Sequence, residues 1–148
     1  MHGKKLPVLL ICAITASLLL APSAFAERLS VKGKVANIRS GPGTNYEVIW
    51  QAEQFYPLDV IQKQGDWILF KDYENDKGWI SASLTATTQT VIVKNQTVNV
   101  RSGASTNNPI VFKAQKGTPF QVLKKQDQWY NVKHADGDTG WIHTSVVW

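Results

Sequence analysis

Arg39 and Arg101 each follow a β-branched residue and precede a tight turn, in Asn37-Ile38-Arg39-Ser40-Gly41 and Asn99-Val100-Arg101-Ser102-Gly103. A guanidinium presents a planar fork of N–H donors suited to a carboxylate. The alternative is a structural pairing with a nearby acid or turn carbonyl. Trp67, Trp79, Trp129 and Trp141 offer flat apolar rings with one N–H each, which suits a ligand groove. The rival role for these rings is to seal the ends of a small barrel. Groups able to break bonds are scarce. His134 and His143 lie near Asp136, Asp138 and Ser145, but the spacing matches no metal signature and no nucleophile elbow. Both histidines are expected to be solvated at the surface. No catalytic residue, metal or cofactor is therefore expected, and the chemistry is that of binding.

The two arginine phrases are 62 positions apart, and the same shift aligns much more. Trp67 falls on Trp129, and Gly78-Trp79-Ile80 falls on Gly140-Trp141-Ile142. Pro57, Val60, Lys71 and Ser83 fall on Pro119, Val122, Lys133 and Ser145. About 20 of the 56 positions from Leu29 to Leu84 are identical, without a gap. Repetition at this level means duplication of a structural unit. Tyr46 and Tyr73 depart from it, with Asn108 and Ala135 as their counterparts. If these two tyrosines line a groove, the copies differ in specificity or strength.

The positions between the arginines and tryptophans read as short strands. Runs of four to eight residues rich in Val, Ile, Phe, Trp and Tyr are punctuated by Gly, Pro, Asn and Asp. No part beyond residue 26 keeps a helical period for three turns. An all-β chain of two tandem small, partly open β-barrels is expected, each about 60 residues long. Alternation assigns the faces. Ile68 and Phe70 share one face, whereas Trp67, Leu69 and Lys71 share the other. Tyr130 and Val132 oppose Trp129, Asn131 and Lys133 in the same way. Ile38, Leu58, Val60 and Ile80, with Val100, Phe120, Val122 and Ile142, complete the two expected cores. Gly41 and Gly103 are expected to supply backbone angles that other residues avoid.

Residues 1–26 read as a secretory signal peptide. A basic start at Lys4-Lys5 leads into an apolar run from Leu6 to Ala21, then Ala24-Phe25-Ala26 as a cleavage site. Export to the periplasm, cell envelope or exterior is the expectation. Cys12, the sole cysteine, lies in that run, so the remainder can form no disulfide. Removing Lys4 and Lys5 leaves 14 of the 16 Lys and Arg against 11 acids, or +3. The charge is uneven: seven Lys and Arg against eight acids over 27–88, but seven against three over 89–148. The second half could be drawn to an anionic polymer or surface. Nucleic acid is not expected, because no lysine-rich run is interleaved with aromatics.

The ordered motifs Asn-Ile-Arg-Ser-Gly-Pro-Gly-Thr, Gly-Asp-Trp and Gly-Trp-Ile resemble the bacterial SH3 (SH3b) domain, and the likeness covers both copies. The resemblance implies a small SH3-like barrel of secreted and envelope proteins. Members often hold peptidoglycan hydrolases to the wall; some bind peptide parts of peptidoglycan, and others mediate protein contacts. Ala104-Ser105 stands where the first copy has Pro42-Gly43, so the second turn is expected to be less rigid. No hydrolase accompanies the copies in this sequence, so an enzyme they serve is expected to be a separate partner. The expected layout is a leader over 1–26, a first domain over 27–84, a linker over 85–90 and a second domain over 91–148. The expected function is a monomeric, non-enzymatic, exported module that recognises peptidoglycan or its peptides. Candidate ligand contacts are Trp67, Trp79, Tyr46, Tyr73 and Arg39 in the first copy, and Trp129, Trp141 and Arg101 in the second. The alternative is an envelope adaptor that binds proteins and not the wall.

Overall fold

The structure, a computed structural model, describes residues 26–148. The expected leader lies outside the described residues apart from Ala26. The first repeat comprises β1 (Arg28–Val31), β2 (Val35–Arg39), β3 (Val48–Glu53), β4 (Pro57–Gln64), β5 (Trp67–Lys71), β6 (Lys77–Ser81) and β7 (Thr85–Ala86). The second comprises β8 (Thr90–Ile92), β9 (Thr97–Arg101), β10 (Ile110–Gln115), β11 (Pro119–Gln126), β12 (Trp129–Lys133) and β13 (Thr139–His143). A single 3-10 turn follows β6 and β13, at Ala82–Leu84 and Thr144–Val146. Of the residues 85–90 expected as a linker, Thr85–Ala86 pair with Val31 and Ser30, and Thr90 opens β8.

The strands form two antiparallel sheets in the orders β3-β2-β6-β5-β4-β1-β7 and β10-β9-β13-β12-β11-β8. The second sheet gains its closing contact from a bridge between Val93 and Val147, flanked by mutual backbone bonds of Ile92 and Trp148. The all-β expectation is borne out, and each repeat has its own core. In the first, Ile38, Leu58, Phe70 and Ile80 are fully buried; in the second, Val100, Phe120, Val132 and Ile142 are. The alternation along β5 follows the expected parity, with Ile68 and Phe70 inside and Trp67, Leu69 and Lys71 half-buried.

Val60 and Val122 are less buried than expected and only pack against the core edge. The cause is a bulge at the same place in both copies, after Val60 in the β4–β5 ladder and after Val122 in the β11–β12 ladder. A bulge inserts a residue and breaks the period of two. It turns Ile61 and Leu123 outward, to 46% and 47% exposure.

The turns are also duplicated at backbone level. Positive φ occurs at Phe55, Gly65 and Asn75 in one copy and at Gly117, Asp127 and Gly137 in the other. Each set is displaced by the same 62 positions, and each pair contains one glycine. Gly41 and Gly103 are not among them. Their need for glycine is steric instead: a Cβ at Gly41 would run into the Tyr46 ring, and one at Gly103 into the Asn108 amide.

The glycine of each Gly-Trp-Ile motif has a similar explanation. A Cβ at Gly78 would collide with Ile38, and one at Gly140 with Val100, where the β6–β2 and β13–β9 strands meet. Ile38 and Val100 are both fully buried and cannot yield. Gly78→Ala and Gly140→Ala should each lower stability by about 1–3 kcal/mol, the usual cost of overpacking. Chemical denaturation of each variant checks this.

The repeats touch. Glu74, in the loop before β6, forms an ion pair with Lys116 in the turn before β11. The Lys116 hydrogen bond holds the Glu74 carboxyl below its ordinary range and raises the lysine. The Arg28 guanidinium also lies 3.7 Å from the Trp148 ring centroid.

Candidate functional site

Three neighbouring strands of each sheet, β2-β6-β5 and β9-β13-β12, present the candidate tryptophans and arginines on one outer face. In the first repeat Trp79 on β6 stands between Leu69 on β5 and Arg39 on β2, while Trp67 faces Ser81. In the second Trp141 on β13 stands between Asn131 on β12 and Arg101 on β9, while Trp129 faces His143. Strand parity put these rings opposite the core, and all four are half-buried. They form part of the sheet surface and still present an accessible side.

In the second repeat this face folds into a groove of about 250 Å³. Its walls are Trp129 and His143 on one side and Asn99, Arg101 and Thr106 on the other, with Val98 and Val146 at the base. The Trp129 ring meets the His143 ring edge-on at 5.1 Å. Trp141 lies outside this groove, and Lys124 approaches its ring to 5.2 Å. The first repeat carries Trp67, Asn37, Arg39 and Thr44 at the corresponding positions, with Ser81 in place of the histidine.

The arginines serve the turns as well as the face. Arg39 donates from one terminal nitrogen to the carbonyls of Thr44 and Tyr46, at 3.1 and 2.8 Å. Arg101 donates to the carbonyl of Asn108 at 2.9 Å. A guanidinium has five N–H donors, so this staple leaves others for a ligand. Tyr46 caps the same turn, with its ring against Gly41 and Gly43, and remains 43% exposed.

Tyr73 stands apart from the tryptophan face. Its ring lies 6.4 Å from Tyr56 and 5.9 Å from the Lys116 ammonium, and its hydroxyl approaches Gly117 of the second repeat. Partial burial raises its pKa above the ordinary phenol value. It therefore belongs to the junction between the repeats, because its loop projects from the opposite end of β5.

Asn37, Asn99, Thr44, Thr106 and His143 were not singled out from the sequence as site residues. The asparagines and threonines were nevertheless within reach, since they are identical in the two arginine phrases. His143 is unique to the second copy. Its Nδ1 caps the 3-10 turn by accepting the Ser145 N–H at 3.2 Å, and lies 2.7 Å from the Ser145 hydroxyl. Among the described residues no acid orients its other nitrogen, so the arrangement lacks the third member of a hydrolytic triad. The described residues contain no cluster of three His, Cys, Asp or Glu able to hold a metal ion. The groove offers a stacking ring, amide and hydroxyl groups and guanidinium donors, a set suited to holding a polar chain with apolar side groups.

Comparison with known proteins agrees with this architecture. The chain is 25% identical over 162 aligned residues to a putative N-acetylmuramoyl-L-alanine amidase, YrvJ, of Bacillus subtilis strain 168. The match takes in 98% of this chain and 31% of that protein, so the chain spans about a third of its relative's length. A solved NlpC/P60 family protein of Bacillus cereus ATCC 10987 aligns at 14% identity and a TM-score of 0.39, over 82% of this chain and 55% of the other. NlpC2 of Trichomonas vaginalis aligns at 13% identity and a TM-score of 0.35, over 84% and 49% of the two chains. Neither structural likeness adds to the family assignment. The bacterial SH3 domain profile matches residues 32–86 and again 94–148. The chain therefore belongs to the bacterial SH3 domain family, with two such domains in tandem.

Proposed function

We propose that this protein is a non-enzymatic, exported binding module that holds the peptide part of peptidoglycan in two tryptophan-lined grooves. The observation that carries the reading is the repetition of one set, Trp67-Asn37-Arg39-Thr44 and Trp129-Asn99-Arg101-Thr106, on the same face of both domains. Barrel closure alone does not require an asparagine and an exposed threonine beside the ring. The Bacillus subtilis relative supports the wall as the target, since its name is that of an amidase for the bond between N-acetylmuramic acid and L-alanine. In this reading residues 1–26 are a leader and the protein works as a monomer in the cell envelope or outside it.

The indole rings would stack on aliphatic parts of the stem peptide, and the asparagine amides would bond its backbone. Arg39 and Arg101 would meet its carboxylates with the donors their turns leave spare. The second domain adds Lys113, Lys116 and Lys124 where the first has Gln51, Gln54 and Gln62. These lysines would speed encounter with an anionic wall more than they would hold it.

Co-sedimentation of the purified protein with intact sacculi, at low and high salt, tests this reading. Retention that survives high salt is expected. Retention lost to salt alone would show that screened lysine charge does the holding, and no retention would refute wall binding.

A further inference from the structure

The two domains differ most at a place away from the tryptophan face. In the first domain the Tyr56 ring sits beside Trp50, with centroids 5.3 Å apart, and its hydroxyl donates to the Asp72 carboxylate at 2.8 Å. Asp72 is buried and also accepts the backbone N–H groups of Glu74 and Asp76, each at 2.9 Å. Burial, with the Asp72 hydrogen bond, pushes the Tyr56 phenol far above its ordinary range, so it stays protonated as a donor. Tyr56 is thus a plug held at both ends.

The same position in the second domain is Thr118, and Asp72 is replaced by His134. The surrounding rings shrink as well, from Trp50 to Phe112 and from Phe70 to Val132, against one gain, Leu58 to Phe120. An open recess of about 310 Å³ results. Phe112, Ala114 and Phe120 supply its apolar lining; His134, Asp136 and Asp138 form one rim, and Lys113 contributes elsewhere to the wall. His134 is not the solvated residue expected. Its ring packs edge-on against Phe120 at 5.6 Å, and its Nδ1 lies 2.9 Å from an Asp136 oxygen. Among the described residues its Nε2 has no hydrogen-bond partner.

We propose that this recess of the second domain binds a tyrosine side chain offered by another protein, in the place that Tyr56 fills within the first domain. The first domain shows what this backbone accepts there: one phenol ring on an aromatic floor, with its hydroxyl donating to a polar group at the rim. The rim keeps the complementary charge. Asp136 and Asp138 favour a ligand that donates a hydrogen bond and disfavour one that carries an acid. His134 stands where Asp72 receives the phenol. The rim carries two of the second domain's three acids, Asp136 and Asp138, with Lys113 as the one lysine that lines the recess. The wall-binding face uses Trp129 and Arg101, so the two sites are separate and both can be filled in one molecule.

The test is a titration of the purified protein with N-acetyltyrosinamide, followed by amide and side-chain NMR shifts. Saturable shifts at Phe112, Ala114 and His134 are expected, with a dissociation constant of about 1 mM for so small a probe. N-acetylphenylalaninamide, which lacks the hydroxyl, should bind at least threefold more weakly. Thr118→Tyr/His134→Asp rebuilds the internal plug and should weaken probe binding at least tenfold. Thr118→Phe fills the recess without altering His134 and should do the same, which keeps the test valid if the double variant folds poorly. Absence of saturable shifts, equal binding of the two probes, or unchanged binding by Thr118→Phe would each overturn the proposal. None of these outcomes depends on retention by sacculi.

Discussion

Replacing Trp67 and Trp129 together by alanine should abolish salt-resistant retention on sacculi. A ring that anchors a ligand in a partly enclosed groove contributes about 2 kcal/mol or more, which is roughly 30-fold per site. The two domains are joined by few residues, since only 87–89 lie between β7 and β8. Once one groove is engaged, the other meets the wall at high effective concentration. Either single variant should then lose far more than half of the retention, and the double variant essentially all of it. The fold should survive, because both rings are half-buried on the outer face and neither belongs to the buried core. Sedimentation beside a thermal unfolding curve separates loss of binding from loss of structure. Equal retention by wild type and the single variants would remove cooperation between the grooves from this account.

Phe70→Ala should unfold the first domain and leave the second standing. Phe70 is fully buried and meets Trp50 edge-on at 6.0 Å. Truncating a buried phenylalanine costs about 3–5 kcal/mol. A domain of this size is stable by only about 3–9 kcal/mol, so one substitution consumes most of the margin. The second domain has its own core around Phe120 and Ile142. Contacts between the domains, such as the exposed Lys116–Glu74 pair, are too weak to transmit the collapse. A two-dimensional amide spectrum should therefore lose the dispersed signals of residues 28–86 and keep those of 90–148. Loss of both sets would show that the domains fold as one cooperative unit.

The strength of the sequence signal varied with the physics behind each feature. Strand parity depends on a period of two, and the pattern Trp67-Ile68-Leu69-Phe70-Lys71 states it openly; the core and the outer face were legible for that reason. Parity fails where the period breaks. The bulges after Val60 and Val122 leave no mark in composition, so both residues looked like full core members. Loops have no parity at all. Tyr73 looked like a groove residue because it is aromatic and unique to one copy, yet its loop carries it to Lys116 and Gly117 of the other domain. The glycines of the arginine phrases were expected to have unusual backbone angles. The need is instead for space beneath Tyr46 and Asn108, which only packing reveals. The recess around Phe112 was hidden more deeply. Tyr56 to Thr118 and Asp72 to His134 are ordinary differences until the structure shows that the first pair is a hydrogen-bonded plug.

NMR titration of the purified protein with a soluble peptidoglycan stem peptide decides whether the two tryptophan grooves hold wall peptide. The largest shifts are expected on the Trp67 and Trp129 indole N–H groups and on the side-chain amides of Asn37 and Asn99, with both domains saturating. Shifts spread over the lysines alone, confined to residues away from these grooves, or absent at millimolar peptide would contradict it.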